Sequence, residues 1–369
     1  IEETNGSTEV RSSLFESALF GTGIIKGPFN YNKILHKWEM DDNGERVYRP
    51  IETRVPRSEF VSVWDFFPDP NGTTVEDCEY IVDRHRYNEK QIRALKNLPN
   101  FDNDELVRCI LNGPNYMNDG RESEMKDGQS ASQTTLTQWE VLEYWGVMDK
   151  ASCIEAGIVP PSGMDDLDYT QINAWVCNGR VLRAVLNPFT PARIPYHAFP
   201  YERNPYSLFG VGVAENMADS QQVMNGHARM AIDNMALSGN VIFDVDMSML
   251  EAGQDMKLYP GKMFRRQGGM AGTAVNALKI PNTTGANLQM YDKFRQLADE
   301  QTGITSYSHG QTGIQGTGRT ASGMSMLMGA SSLQTKTVVK NLDDLLLKPL
   351  GKAYFHWNLQ FFQGDLDIR

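Results

Sequence analysis

Residues 201–239 read YERNPYSLFGVGVAENMADSQQVMNGHARMAIDNMALSG. The first ten carry Tyr201, Pro205, Tyr206 and Gly210, which favour an extended, turning path over a helix. From Val213 the pattern changes. Val213, Met217, Ser220, Met224, Ala228, Ala231 and Met235 recur every three or four residues, so a mostly apolar seam runs along one side of a long helix. Glu215, Asp219, Gln222, Arg229 and Asp233 fall on its other faces, and Gly239 ends it.

Downstream, Val241–Asp246 (VIFDVD) reads as a strand, and residues 247–285 as a small glycine-rich β or loop insert. A second helix is predicted over Asn287–Gln301, closed by Gly303. A glycine-rich loop runs from Gly303 to Gly318, and a third helical region from Thr320 toward Phe362, with Pro349 expected to kink it. Thirteen of the 18 methionines lie between Met217 and Met328. Methionine is unbranched and adaptable, which suits either a soft helical core or a surface that repacks against partners.

Upstream, residues 1–205 read as mixed α/β. Glu59–Phe67 (EFVSVWDFF) is a strand-like run stopped by the turn residues Pro68–Gly72, and Glu79–Tyr87 resumes as a strand. Asn88–Asn97 and Asp104–Asn112 read as short helices, Tyr116–Gln133 as a polar mobile loop and Gln138–Met148 as a strand. Gln171–Val176 and Arg180–Leu186 flank Asn178-Gly179, a hairpin signature. Arg193–Tyr201 is extended, its prolines marking a sheet edge.

The whole chain has 369 residues, enough for two or three domains or one elongated subunit. It is 40% hydrophobic and 22% charged, which excludes a wholly disordered chain. No apolar run approaches the ~18 residues of a spanning helix. The net charge of -11 argues against a surface that grips nucleic acid throughout. Cys78, Cys109, Cys153 and Cys177 form no C-x-x-C pair, so reduced thiols in a cytosolic setting are expected. The chain opens at Ile1 rather than Met, which points to a longer product.

Motifs for catalysis are thin. Gly313–Thr320 (GIQGTGRT) resembles a phosphate-binding loop, but Arg319 stands where lysine is needed, and no buried strand precedes it. A loop with Thr320 capping a helix accounts for it better. Gly21–Gly27 (GTGIIKG) reads as a loose turn without dinucleotide-binding spacing. The six histidines follow no zinc pattern. Asp244 and Asp246 share one face of a strand, as magnesium ligands of a nuclease would, without a third acid at motif spacing. Between Met256 and Pro281 lie Lys257, Lys262, Arg265, Arg266 and Lys279 with no acid, which is either a solvated loop or a docking tip for an acidic partner or a nucleic-acid segment.

The Tyr201–Gln221 stretch resembles the portal proteins, or head-to-tail connectors, of podovirus-like tailed bacteriophages, where a Pro/Tyr-rich segment leads through small residues into a long helix. The resemblance is clearest from 170 to 362. It implies an α+β subunit: an α/β wing (1–205), a stem helix (206–240), a clip-like insert (241–285), a second stem helix (286–302), a tunnel loop (303–319) and a long helix leading to a crown (320–369). It also implies a non-enzymatic ring, a dodecamer, at one capsid vertex of the virion, assembled in host cytoplasm without cofactor, metal or membrane. Double-stranded DNA would pass through it during packaging and ejection, with His309, Gln311 and Arg319 facing the channel. Lys257, Lys262, Arg265, Arg266 and Lys279 would dock the terminase or tail adaptor, and capsid and scaffolding proteins would surround the ring. Val213, Met217, Met224 and Met235 would form the oligomer seam. A conduit must pass a polyanion without holding it, so an acidic subunit with few cations in its bore is suited to the role. The alternatives are a magnesium-dependent nuclease using Asp244 and Asp246, or a capsid or tail-adaptor protein without a channel.

Overall fold

The computed structural model describes residues 6–40, 46–116, 138–240, 242–303 except 258, 269, 271 and 273, and 336–361. The chain divides into two compact units, residues 1–215 with 333–369, and residues 216–332.

Among the described residues the first unit is built on two antiparallel sheets, so the part expected to be α/β is α+β there, with every strand pair antiparallel. One sheet has the order β2-β1-β8, from β1 (Thr22–Met40), β2 (Arg46–Val61) and β8 (Tyr196–Pro200). The other has the order β3-β4-β5-β6-β7, from β3 (Phe66–Pro68), β4 (Tyr80–Tyr87), β5 (Trp139–Asp149), β6 (Tyr169–Cys177) and β7 (Arg180–Leu186). Asn178 and Gly179 both take positive φ (52° and 70°), the geometry that lets a two-residue turn match strand twist. Helix α1 (Gly6–Phe20) precedes β1. Short helices α2 (Glu89–Ala94), α3 (Asn103–Leu111) and α4 (Lys150–Glu155) are capped by Asn88, Asp102 and Asp149, whose side chains accept the free N–H groups of the first turn.

Alternation along β1 decides what the first sheet touches. Ile24 joins a core with Val61, Phe66, Ile81, Trp145 and Tyr196, spanning both sheets. Its neighbour Ile25 points the other way, to Phe199, Leu346 and Leu350. The last two belong to the C-terminal helical segment, residues 336–361, which ends in helix α7 (Lys348–Phe361). Tyr354 and Ser58 share a hydroxyl hydrogen bond of 2.9 Å, and Arg193 donates to the Ala353 carbonyl at 3.1 Å. Proline at 349 cannot donate to the carbonyl four residues back. The chain accommodates it with a π turn over Asp343–Leu347, where the Lys348 N–H reaches Asp343 O.

Two readings are corrected here. Gly21–Gly27 is not a loose turn; it is the start of β1. Its glycines allow close approach: a Cβ on Gly23 would lie 2.4 Å from Ser13 O, and one on Gly21 2.2 Å from Gly210 O. The same contact explains Gly210 and Gly212, since the loop before the long helix lies against Gly21, with Tyr201 N–H donating to Gly21 O at 2.8 Å. Glu59–Phe67 is not one strand. Buried Glu16 of α1 accepts from Ser62 Oγ and Val63 N, which turns Val63–Asp65 into a 3₁₀ turn between β2 and β3.

The second unit contains most of α5 (Val213–Gly239), a two-stranded sheet of β9 (Ile242–Val245) and β10 (Val275–Leu278), and α6 (Thr284–Thr302). Gly303 closes α6 at φ 67°. The loop expected at Tyr116–Gln133 lies, beyond Tyr116, outside the described residues.

Candidate functional site

Helices α5 and α6 run antiparallel and are joined by polar contacts at intervals of seven residues. Ser220 donates to Gln301 Oε1 at 2.8 Å. His227 Nδ1 donates to Asn287 Oδ1 at 3.2 Å, and its ring stacks on Phe294. Asn234 Oδ1 accepts from Thr283 N at 2.8 Å and Thr284 Oγ1 at 3.2 Å, while its amide donates to the Pro281 carbonyl. A repeat of seven keeps these residues on one side of α5. The helix therefore has a partner in its own chain. Met224 is buried, Val213 and Met217 are half-buried and Met235 is exposed. Met230, Met247, Met263, Met270 and Met290 are also exposed, so the described part of the methionine-rich segment is largely surface.

Between β9 and β10 the chain carries Lys257, Lys262, Arg265 and Arg266, with Lys279 just beyond β10. Lys257, Arg265, Arg266 and Lys279 are exposed. Lys262 is turned inward: its ammonium donates to the Asp255 carbonyl and lies over the Tyr259 and Phe264 rings at 5.2 and 5.5 Å. Asp246 caps a 3₁₀ turn, accepting from Ser248 N and Oγ, and those hydrogen bonds hold its carboxyl below the usual range. Asp244 pairs across the sheet with Asn276. Among the described residues no third acid joins these two into a possible metal site. His309, Gln311 and Arg319 lie outside the described residues.

The densest charge cluster is in the first unit and was not anticipated. Lys26 of β1 points at the second sheet and is buried. Its Nζ donates to Asp83 Oδ2 of β4 at 2.9 Å and to Glu143 of β5, and lies 3.4 Å from His85 Nε2. Asp83 and Glu143 are directly opposite in the β4–β5 ladder, so their side chains share a face. Tyr196 donates to Asp83 at 2.9 Å, and Trp145 Nε1 and Asn173 Nδ2 donate to Glu143 Oε1 at 2.8 and 3.0 Å. Burial opposes ionisation of Lys26, but the Glu143 and Asp83 charges outweigh it and raise its pKa. Burial likewise opposes the Glu143 carboxylate, and the Lys26 and His85 interactions outweigh it and lower its pKa.

Asp83, His85 and Glu143 place their ligand atoms within 4.8 Å of one another, close enough to share a metal ion. The protein's own ammonium bonds to both carboxylates. The cluster thus works as an internal ion bridge between sheets.

The profile of the phage SU10 portal protein family matches residues 39–369. The chain belongs to that family of tailed-phage portal proteins. The match takes in both units and leaves out α1 and most of β1. A portal protein is a structural component of the phage capsid, and the family is non-enzymatic. The described residues form a mixed α+β architecture, the fold class expected from the sequence. Among the described residues no helix is long and apolar enough to cross a membrane.

Proposed function

We propose that this portal protein assembles into a closed ring of about a dozen copies at one capsid vertex and forms the channel through which double-stranded DNA is packaged and ejected, a cyclic arrangement needing one head-to-tail contact repeated around the axis. The observation that carries the reading is the family match across 331 of 369 residues. The antiparallel α5–α6 pair, with a small basic insert between its helices, supports it: the pair serves as stem and the insert as clip. Residues 1–205 serve as wing and the helix that follows residue 320 leads to the crown.

In this reading Lys257, Arg265, Arg266 and Lys279 present exposed cations to the terminase or the tail adaptor, and Lys262 holds the insert in shape. His309, Gln311 and Arg319 line the bore. One fixed cation per copy there steadies DNA without gripping it, because each added phosphate contact raises affinity through counterion release. The ring meets major capsid and scaffolding proteins at its outer face, and no cofactor takes part. Native mass measurement of the full-length product tests the assembly: a closed high-order species supports the reading, and a monomer or dimer at all concentrations opposes it.

A further inference from the structure

The first sheet continues as a bare ribbon. Among the described residues β8 pairs with β1 only from Thr22 to Lys26, and from Phe29 to Met40 the sole ladder partner is β2. A two-stranded ribbon is marginal by itself in water, yet this one exposes Tyr31, Ile34, Trp38, Met40, Tyr48 and Ile51. Directly opposed residues share a face, so His36–Pro50, Trp38–Tyr48 and Met40–Arg46 lie together near the tip. There the Trp38 and Tyr48 rings are 5.3 Å apart, and His36 stacks on Tyr48 and bonds its hydroxyl through Nδ1. The result is a preformed aromatic knob, with Trp38 65% exposed.

At the base of the same ribbon lies an apolar groove of about 590 Å³ between α1 and the end of β2, lined by Phe15, Leu19, Phe20, Phe60 and Trp64. Phe15 is 70% exposed in it. Ile24 pairs with Val61 at the base and Met40 with Arg46 at the tip. Tyr48 of the knob and Phe60 of the groove are twelve residues apart on β2, so at a strand rise of about 3.3 Å per residue the ladder holds them roughly 40 Å apart. One copy therefore cannot seat its own knob in its own groove. Residues 31–55 contain five basic and five acidic residues, so this segment is neutral in a chain of net charge -11 and can approach another copy without adding repulsion.

We propose that the aromatic tip formed by Trp38 and Tyr48 seats in the groove between α1 and Trp64 of a neighbouring copy. The proposal rests on the ring reading and names a contact that closes it. Each copy offers one knob and one groove, which is a heterologous interface of the kind that generates rings. Trp and Tyr in a desolvated pocket are the residue types that carry most of an interface's affinity.

The test uses full-length protein carrying Arg11→Cys at the groove rim and Arg46→Cys beside the aromatic tip. Both sites are exposed, so the core and the aromatic contact are untouched, and the four native cysteines are buried. A bis-maleimide linker should give a denaturing-gel ladder of dimers, trimers and higher species, and neither single variant should. In parallel, Trp38→Ala with Tyr48→Ala should raise the concentration needed for assembly tenfold or more, with Ile232→Ala as control. Rings without a ladder would overturn the contact and leave the ring reading standing. A ladder without closed rings would uphold the contact and overturn the ring. Cross-links within a single chain would show that the groove is filled by its own polypeptide and would also overturn the contact.

Discussion

Lys26 Nζ lies 2.9 Å from Asp83 Oδ2, although the two residues stand on different sheets and are 57 positions apart. With Glu143 on its other side, the ammonium ties β1 to β4 and β5 within an otherwise apolar interface. Removing one partner of a buried ion cluster strands the others, whereas removing all of them need not destabilise. Lys26→Met should therefore lower stability by about 3–5 kcal/mol, and Lys26→Met with Asp83→Asn and Glu143→Gln by much less. Urea unfolding of the three variants checks this. A Lys26→Met midpoint equal to wild type would show that the cluster carries no stability.

His197 faces the opposite side of the first sheet, is buried, and donates from Nε2 to the Gly27 carbonyl at 3.2 Å. Burial pushes its pKa down to about 4 from an ordinary 6.5. The folded state thus keeps it neutral between those values while the unfolded chain binds a proton. Its contribution is complete above pH 6.5 and is lost as pH falls toward 4, a loss of about 2 kcal/mol at pH 5. The depressed Glu143 adds a second loss below pH 4.5, on the acid side of its unfolded value. His197→Gln retains an amide donor and should flatten the stability profile between pH 7 and 5. An unchanged slope would remove His197 from the account.

Lys257 and Arg265 are exposed and have no ion pair among the described residues. Replacing both with Glu should weaken terminase or adaptor binding several-fold and reduce its sensitivity to salt, because rim charges act through screened attraction. Assembly should be unaffected. Binding by the variant equal to wild type, with the same salt dependence, would make the insert a solvated loop.

Arg319 is the one permanently charged side chain from Gly303 through Thr320. Arg319→Ala should assemble normally but package or retain DNA poorly. Saturable nucleotide binding that disappears in this variant would instead favour a phosphate-binding loop.

Local signals in the sequence were sufficient for elements whose own residues decide them. The Val213–Met235 periodicity marked α5, Asn178-Gly179 marked the β6–β7 turn, and Asn88 marked the start of α2. The seam was visible but its occupant was not, since Ser220, His227 and Asn234 pair with residues 47 to 81 positions away. Gly21–Gly27 was misread because glycine there serves close backbone packing, which looks the same in sequence as turn formation. Lys26 was invisible as a site for a similar reason: its partners come from other strands, 57 and 117 positions on. The ribbon left a clue in Asn43-Gly44, set between alternating runs at residues 31–40 and 46–55.

The central claim is a ring with a through-channel, and electron microscopy of the full-length protein viewed end-on tests it most directly. The account predicts closed rings of uniform subunit number with an open centre wide enough for duplex DNA. Isolated subunits, or closed rings with no central opening, would contradict it.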